Sequence, residues 1–110
     1  MSASIKPPAL RPGDTVGIVS PSWFGGPAFE RRANRGIAEL HRLGFRTRVG
    51  AHAYKNDGWV SASPERRVAD IHDMFADPDV RAIVCTIGGD HSCHLLPLLD
   101  WELIRSNPKI

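Results

Sequence analysis

The chain has 110 residues, 42% of them hydrophobic and 24% charged, and a formal charge of +2 drawn from 14 basic and 12 acidic side chains. One domain's length leaves room for a modest core and excludes a two-domain enzyme. No apolar run reaches the roughly 20 residues a membrane helix needs. The interspersed charges lack the basic footprint of a nucleic-acid binder, and two cysteines with no recognisable secretory leader predict a soluble, cytoplasmic chain with neither membrane nor nucleic-acid partner.

In chain order, a proline-rich opening ends in Pro12-Gly13-Asp14, a turn signal that delivers the chain into the β-branched run Thr15 to Val19, read as a buried strand. Its exit, Ser20-Pro21-Ser22-Trp23-Phe24-Gly25-Gly26-Pro27, is a loop at the carboxyl end of a strand, where open α/β sheets place ligands. From Ala28 to Leu43 the residues Phe29, Ala33, Ile37, Leu40 and Leu43 recur at helical spacing. Gly44 supplies a left-handed stop, with Phe45 placed to pack back on the last turn. A short strand over 45–49 follows, then a long loop over 50–62 with Tyr54 and Trp59 as anchors or ligand contacts.

Ser63-Pro64-Glu65 has the chemistry of a helix start: a side-chain cap, a proline at the first helical position and an acid at the positive end. Val68, Ile71 and Phe75 form the predicted buried stripe, with Ala69 and Met74 flanking it, and Asp77-Pro78 ends the helix. Arg81 to Ile87 reads as a strand covered on both faces. Leu95 to Leu99 makes a short helix despite Pro97, Trp101 to Ser106 adds a further turn, and Asn107 to Ile110 approaches another strand. Strands separated by helices predict parallel pairing through right-handed crossovers, in a sheet left unfinished at Ile110.

The segment Thr86-Ile87-Gly88-Gly89-Asp90-His91-Ser92-Cys93-His94 concentrates reactive residue types. A nucleophile elbow needs small residues flanking the nucleophile, yet Ser92 is followed by Cys93 and His94, and a base adjacent in sequence is poorly placed to point at its neighbour's hydroxyl. The spacing also falls short of a structural zinc site, which takes four ligands in spaced pairs. Ser92 or Asp90 is instead expected to cap the helix that follows. Gly88-Gly89 either makes a tight turn or presents backbone N–H groups to an anion such as an oxyanion or a carboxylate.

Five stretches then resemble, in order, the N-terminal domain of the LD-carboxypeptidase family. They are Leu10-Arg11-Pro12-Gly13-Asp14 leading into Ile18-Val19-Ser20-Pro21-Ser22; Glu65-Arg66-Arg67-Val68-Ala69-Asp70-Ile71 with Phe75-Ala76-Asp77-Pro78; Ile87-Gly88-Gly89; Leu95-Leu96-Pro97-Leu98-Leu99-Asp100; and Asn107-Pro108-Lys109. That family includes muropeptide LD-carboxypeptidases and microcin C immunity peptidases. Asp90-His91-Ser92 resembles the immunity branch more than the muropeptide branch.

The resemblance implies an α/β domain with a parallel sheet, three-layered and flavodoxin-like or class I glutamine amidotransferase-like. It implies a cytoplasmic, homodimeric serine carboxypeptidase without metal or cofactor, acting on a peptide or peptidyl-conjugate substrate. The family's Ser-Glu-His triad falls beyond the position of Lys109 and in a C-terminal domain, so residues 1–110 are expected to carry binding roles and no hydrolysis of their own. By the same resemblance Gly88 and Gly89 supply an oxyanion-hole N–H, Asp90, His91 and Ser92 line the pocket, and Ser20, Pro21 and Ser22 form its neighbouring wall. Two other readings of the residues stand beside this one: a non-catalytic domain holding a small anion at the glycine turn, and an assembly role for the exposed leucines near Trp101.

Overall fold

The computed structural model describes residues 3–110, so the first two residues of the proline-rich opening lie outside the described residues. Eight elements follow in order: β1 (Thr15–Val19), α1 (Gly25–Ala28), α2 (Glu30–Arg42), β2 (Arg46–Val49), α3 (Pro64–Ala76), β3 (Val80–Cys85), a 3-10 helix (Ser92–Leu98) and α4 (Trp101–Ser106). The strands form one parallel sheet in the order β2-β1-β3. The return from β2 to β3 therefore passes over β1.

Residues alternate across a strand, so Val16 and Ile18 face one side of the sheet and Gly17 and Val19 the other. Leu10, Leu40 and Phe45 pack against Val16, Ile18 and Ala82, whereas Met74 packs with Val19 and Val80. With Leu40 on α2 and Met74 on α3, the two helices cover opposite faces, the three-layer outcome of right-handed crossovers on either side of β1.

The helix ends follow the sequence closely. Ser63 Oγ accepts from the Arg66 N–H at 3.3 Å above Pro64. Gly44 adopts φ +94°, and the Phe45 N–H returns to the Leu40 carbonyl at 3.0 Å. Ile110 begins an added pairing on β3, accepting from the Ile83 N–H at 2.7 Å. The segment 107–110 thus approaches the sheet as a strand would.

Several expectations need correction. The helix expected over 28–43 is broken at Phe29, whose φ of −129° and ψ of 51° leave the helical region, so α1 and α2 are separate. None of α2's residues is fully buried, and Phe29 and Leu43 are exposed, because the sheet beneath the helix is only three strands wide. The stripe of α3 is rotated: Arg67, Val68, Asp70 and Met74 are buried, Ile71 and Phe75 are half-buried, and Ala69 is exposed. β3 ends at Cys85 and is covered incompletely, with Arg81, Val84 and Cys85 exposed along its outer edge.

The final short helix also differs from expectation. It is a 3-10 helix starting at Ser92, with His91 in the cap position and no side-chain cap. Pro97 lies inside it and has no N–H to donate to an α-helical ladder, which favours the tighter winding. Asp100 does the capping further on, accepting from the Leu103 N–H at 3.0 Å at the start of α4. Among the described residues no helix is long and apolar enough to cross a membrane.

Candidate functional site

Parallel pairing brings the carboxyl ends of β1 and β3 side by side, so the loop from Ser20 and the turn from Thr86 emerge together. The Thr86 N–H donates to the Val19 carbonyl at 2.9 Å, extending the ladder one step past β3. Ser20 Oγ lies 2.6 Å from the Ala53 carbonyl and 2.6 Å from Thr86 Oγ1. Since Ser20 has one proton and Ala53 supplies only an acceptor, Thr86 donates to Ser20 and Ser20 to Ala53.

Ser61 extends the same network, its Oγ donating to the Ser20 carbonyl at 2.6 Å and its N–H to the Ser22 carbonyl at 2.9 Å. The loop at 50–62 is thereby tied under the site. Ser20, Ser22 and Ser61 are all buried, with hydroxyls engaged by protein, so they build the wall from beneath.

The glycine turn itself is exposed. Gly89 adopts φ +146°, a conformation that side-chain-bearing residues rarely take, and a Cβ there would run into Ser22 Oγ and Cβ. Ser22 Oγ accepts from the His91 N–H at 3.0 Å, which pins the far end of the turn to the β1 loop. Between these fixed points the N–H groups of Gly88, Gly89 and Asp90 have no acceptor among the described residues. Three consecutive donors without an acceptor at a strand exit are available to an anion.

The neighbouring side chains are arranged around that turn. Trp59 is exposed, and its ring meets His91 edge-on at 4.4 Å between centroids; His94 stacks on His91 at 5.7 Å. Asp90, Ser92, Cys93 and His94 are exposed and His91 is half-buried. Ser92 lies within the first turn of the 3-10 helix. The structure thus brings Ser20, Pro21, Ser22, Gly88, Gly89 and His91 together, with Asp90 and Ser92 on the outer rim. Among the described residues no group of three His, Cys, Asp or Glu side chains is placed to hold a metal ion.

Arg67 is the residue that motif reading passed over. It is 3% exposed, and its Nε donates to the Ala62 carbonyl at 2.9 Å while Nη1 reaches the Pro21 carbonyl at 2.8 Å and the His91 carbonyl at 3.2 Å. Burial holds its guanidinium below the ordinary arginine value, with Glu65 acting weakly in the opposite sense. The signal in the sequence is its spacing, since Arg67 stands seven residues before the fully buried Met74, on the same helical stripe.

A second enclosure lies beside the site, an apolar groove of about 350 Å³ between α2 and the exit of β3, lined by Phe29, Ile37, Leu40, Val84 and Ile87 among others. Gly25 also lines this groove. A Cβ there would lie 2.7 Å from the Ile87 Cβ, so only glycine lets α1 approach the strand exit this closely.

The profile of the LD-carboxypeptidase N-terminal domain matches residues 16–110. The chain belongs to the LD-carboxypeptidase family. Among its LD-carboxypeptidase relatives, the probable murein peptide carboxypeptidase of Bacillus subtilis (strain 168) is 33% identical over 109 residues, covering 99% of this chain and 33% of that protein. The microcin C7 self-immunity protein MccF of Escherichia coli is 38% identical over 101 residues, covering 92% of this chain and 30% of that protein. A solved structure of MccF in complex with aspartyl sulfamoyl adenosine matches with a TM-score of 0.94 at 36% identity, covering 97% of this chain and 32% of that one. The chain therefore spans about a third of the length of the curated relatives it matches.

Proposed function

We propose that residues 1–110 form the substrate-facing N-terminal portion of a serine carboxypeptidase that cleaves an amide bond near the carboxyl terminus of an LD-muropeptide or a microcin-like peptidyl conjugate. The observation that carries this reading is the run of N–H groups at Gly88, Gly89 and Asp90, exposed at the strand exit and held from both ends. Donors fixed before substrate arrives stabilise charge that appears only in the transition state.

In the proposed reaction a serine contributed by chain outside these residues attacks the scissile carbonyl, and its proton passes to a histidine oriented by a glutamate. The tetrahedral oxyanion rests on the glycine-turn N–H groups. Its collapse breaks the C–N bond, the histidine returns the proton to the leaving amine, and water then hydrolyses the acyl-enzyme. Ser20, Pro21 and Ser22 support one wall of the pocket, and Asp90, His91 and Ser92 line the other. The enzyme is proposed to act as a cytoplasmic homodimer. Family membership supports the reaction class, and MccF bound to aspartyl sulfamoyl adenosine supports a peptidyl-conjugate substrate.

Hydrolysis assays on the full-length enzyme, with an LD-muropeptide and with aspartyl sulfamoyl adenosine, test this reading. Gly89→Ala keeps the backbone N–H but its Cβ would run into Ser22, so it is expected to lower kcat by about 100-fold by displacing the oxyanion donors. The 110-residue chain alone is expected to hydrolyse neither compound. Robust cleavage by that chain, abolished by Ser92→Ala, would sink the assignment. Binding without turnover by the full-length protein would favour the anion-binding reading instead.

A further inference from the structure

The site's two walls belong to segments far apart in sequence. Pro21 lies on the β1 loop, Ala62 at the end of the loop preceding α3, and His91 at the end of the glycine turn. One side chain donates to the carbonyl of each: Arg67, from the first half of α3. At the strand exits Thr86 Oγ1 also meets Ser20 Oγ, and at the far end of the turn Ser22 Oγ accepts from the His91 N–H.

A buried guanidinium is expensive to desolvate, and such a cation is ordinarily matched by an acid. Arg67 makes no salt bridge to any described carboxylate, and its partners are carbonyls alone. An aliphatic side chain would fill the same volume without the charge but would leave the Pro21 and Ala62 carbonyls unbonded and the His91 carbonyl with the His94 N–H alone. A planar fork of five donors is the side chain suited to bridging three acceptors at fixed angles, whereas a lysine ammonium is a point charge without that geometry. Ser63 caps α3 one turn earlier, so the base from which Arg67 reaches is itself held.

We propose that Arg67 is the positioning residue of this site: its guanidinium sets the Gly88-Gly89 turn against the Ser20-Pro21-Ser22 loop and so aims the turn's N–H groups at the substrate carbonyl. The functional half of this statement rests on the carboxypeptidase reading above; the clamp itself does not.

Amide hydrogen exchange followed by NMR on the 110-residue chain tests the clamp. Arg67→Lys is expected to speed exchange at the His91 N–H by about tenfold or more, the loss of charge-assisted hydrogen bonds being felt locally. The amides of β1 should keep their rates, and Arg48→Gln, which removes the exposed Arg48–Asp77 pair at the opposite end of α3, should leave His91 unchanged. An unaltered His91 rate in Arg67→Lys overturns the proposal, as does acceleration of His91 and β1 by one common factor, the mark of general destabilisation. Should Arg67→Lys fail to fold, the wild-type protein decides. The Arg67 Nε–H must exchange far more slowly than that of Arg48, and equal rates overturn the clamp.

In the full-length enzyme Arg67→Lys is expected to lower kcat by about 10- to 100-fold, with KM moving less than about twofold. A wild-type kcat overturns the aiming role. If the unsubstituted enzyme cleaves neither substrate, the carboxypeptidase reading falls, and the exchange rates still decide whether Arg67 holds the two walls together.

Discussion

The two faces of the sheet are built from similar helical patterns and end in opposite states. On the α3 face, Met74 is 0% exposed and locked against Val19 and Val80. On the α2 face, no residue of the helix is fully buried, and Phe29, Ile37 and Leu40 line an open groove. The difference is one of partners. The 3-10 helix and α4 pack beside α3 on its face, while α2 meets a sheet of three strands with Val84 still exposed at its edge. An amphipathic stripe states which side of a helix turns inward, and the neighbouring layer decides how far that side is covered.

Truncation on each face gives the largest expected contrast. Met74→Ala leaves a cavity in a closed layer and is expected to cost about 2–5 kcal/mol, whereas Ile37→Ala, which borders space already open, is expected to cost about 1 kcal/mol. Urea unfolding of both variants checks this, and equal losses would erase the distinction between the faces.

Glycine replacement sharpens it from the other direction. A Cβ at Gly17 would sit 2.7 Å from Met74 Sδ and 3.2 Å from Val80 Cγ1, so Gly17→Ala overpacks the closed face and is expected to cost about 1–3 kcal/mol. A Cβ at Gly36 on α2 meets nothing within 4 Å. Gly36→Ala is therefore expected to stabilise by about 0.5–1 kcal/mol through helix propensity. Thermal unfolding should move the two melting temperatures in opposite directions.

The smallest effect concerns Cys85, one of the residues lining the groove at the outer edge of β3. Desolvation pushes its thiol up from the ordinary value, so it stays protonated in the fold at a pH where an unfolded cysteine ionises. The folded state then binds more protons across that window, and stability falls as pH rises through it. Alkylation by iodoacetamide, followed by mass spectrometry across the alkaline range, is expected to show a midpoint above that of the denatured chain. Matching midpoints would indicate a thiol in open water.

Much of this molecule was legible along the chain. β1, the capped start of α3, the Gly44 stop and the parallel order follow from β-branched runs, capping chemistry and alternation of elements, all of which act over a few residues. The prominence of Gly88-Gly89 was legible for the same reason, since a strand followed by paired glycines is a local statement about backbone freedom. The helix at 28–43 misled because apolar spacing continues through Phe29 while its backbone does not. The stripe of α3 misled because Arg67 and Asp70 take buried positions that hydrophobicity assigns elsewhere. Asp70 does so by accepting from His52, at 2.9 Å from the backbone N–H and 2.8 Å from Nδ1.

Sequence alone determined the class of fold, the motifs of the LD-carboxypeptidase family and the choice of a glycine turn over Ser92 as the feature of interest, because each depends on neighbours within a turn or two of chain. Tertiary structure decided which groups support that turn. Ser22 meets His91 across 69 positions of sequence, and Arg67 gathers carbonyls 5, 24 and 46 positions away. Contacts at such separations leave no periodic trace, for they exist only once parallel strands have set the two exits side by side.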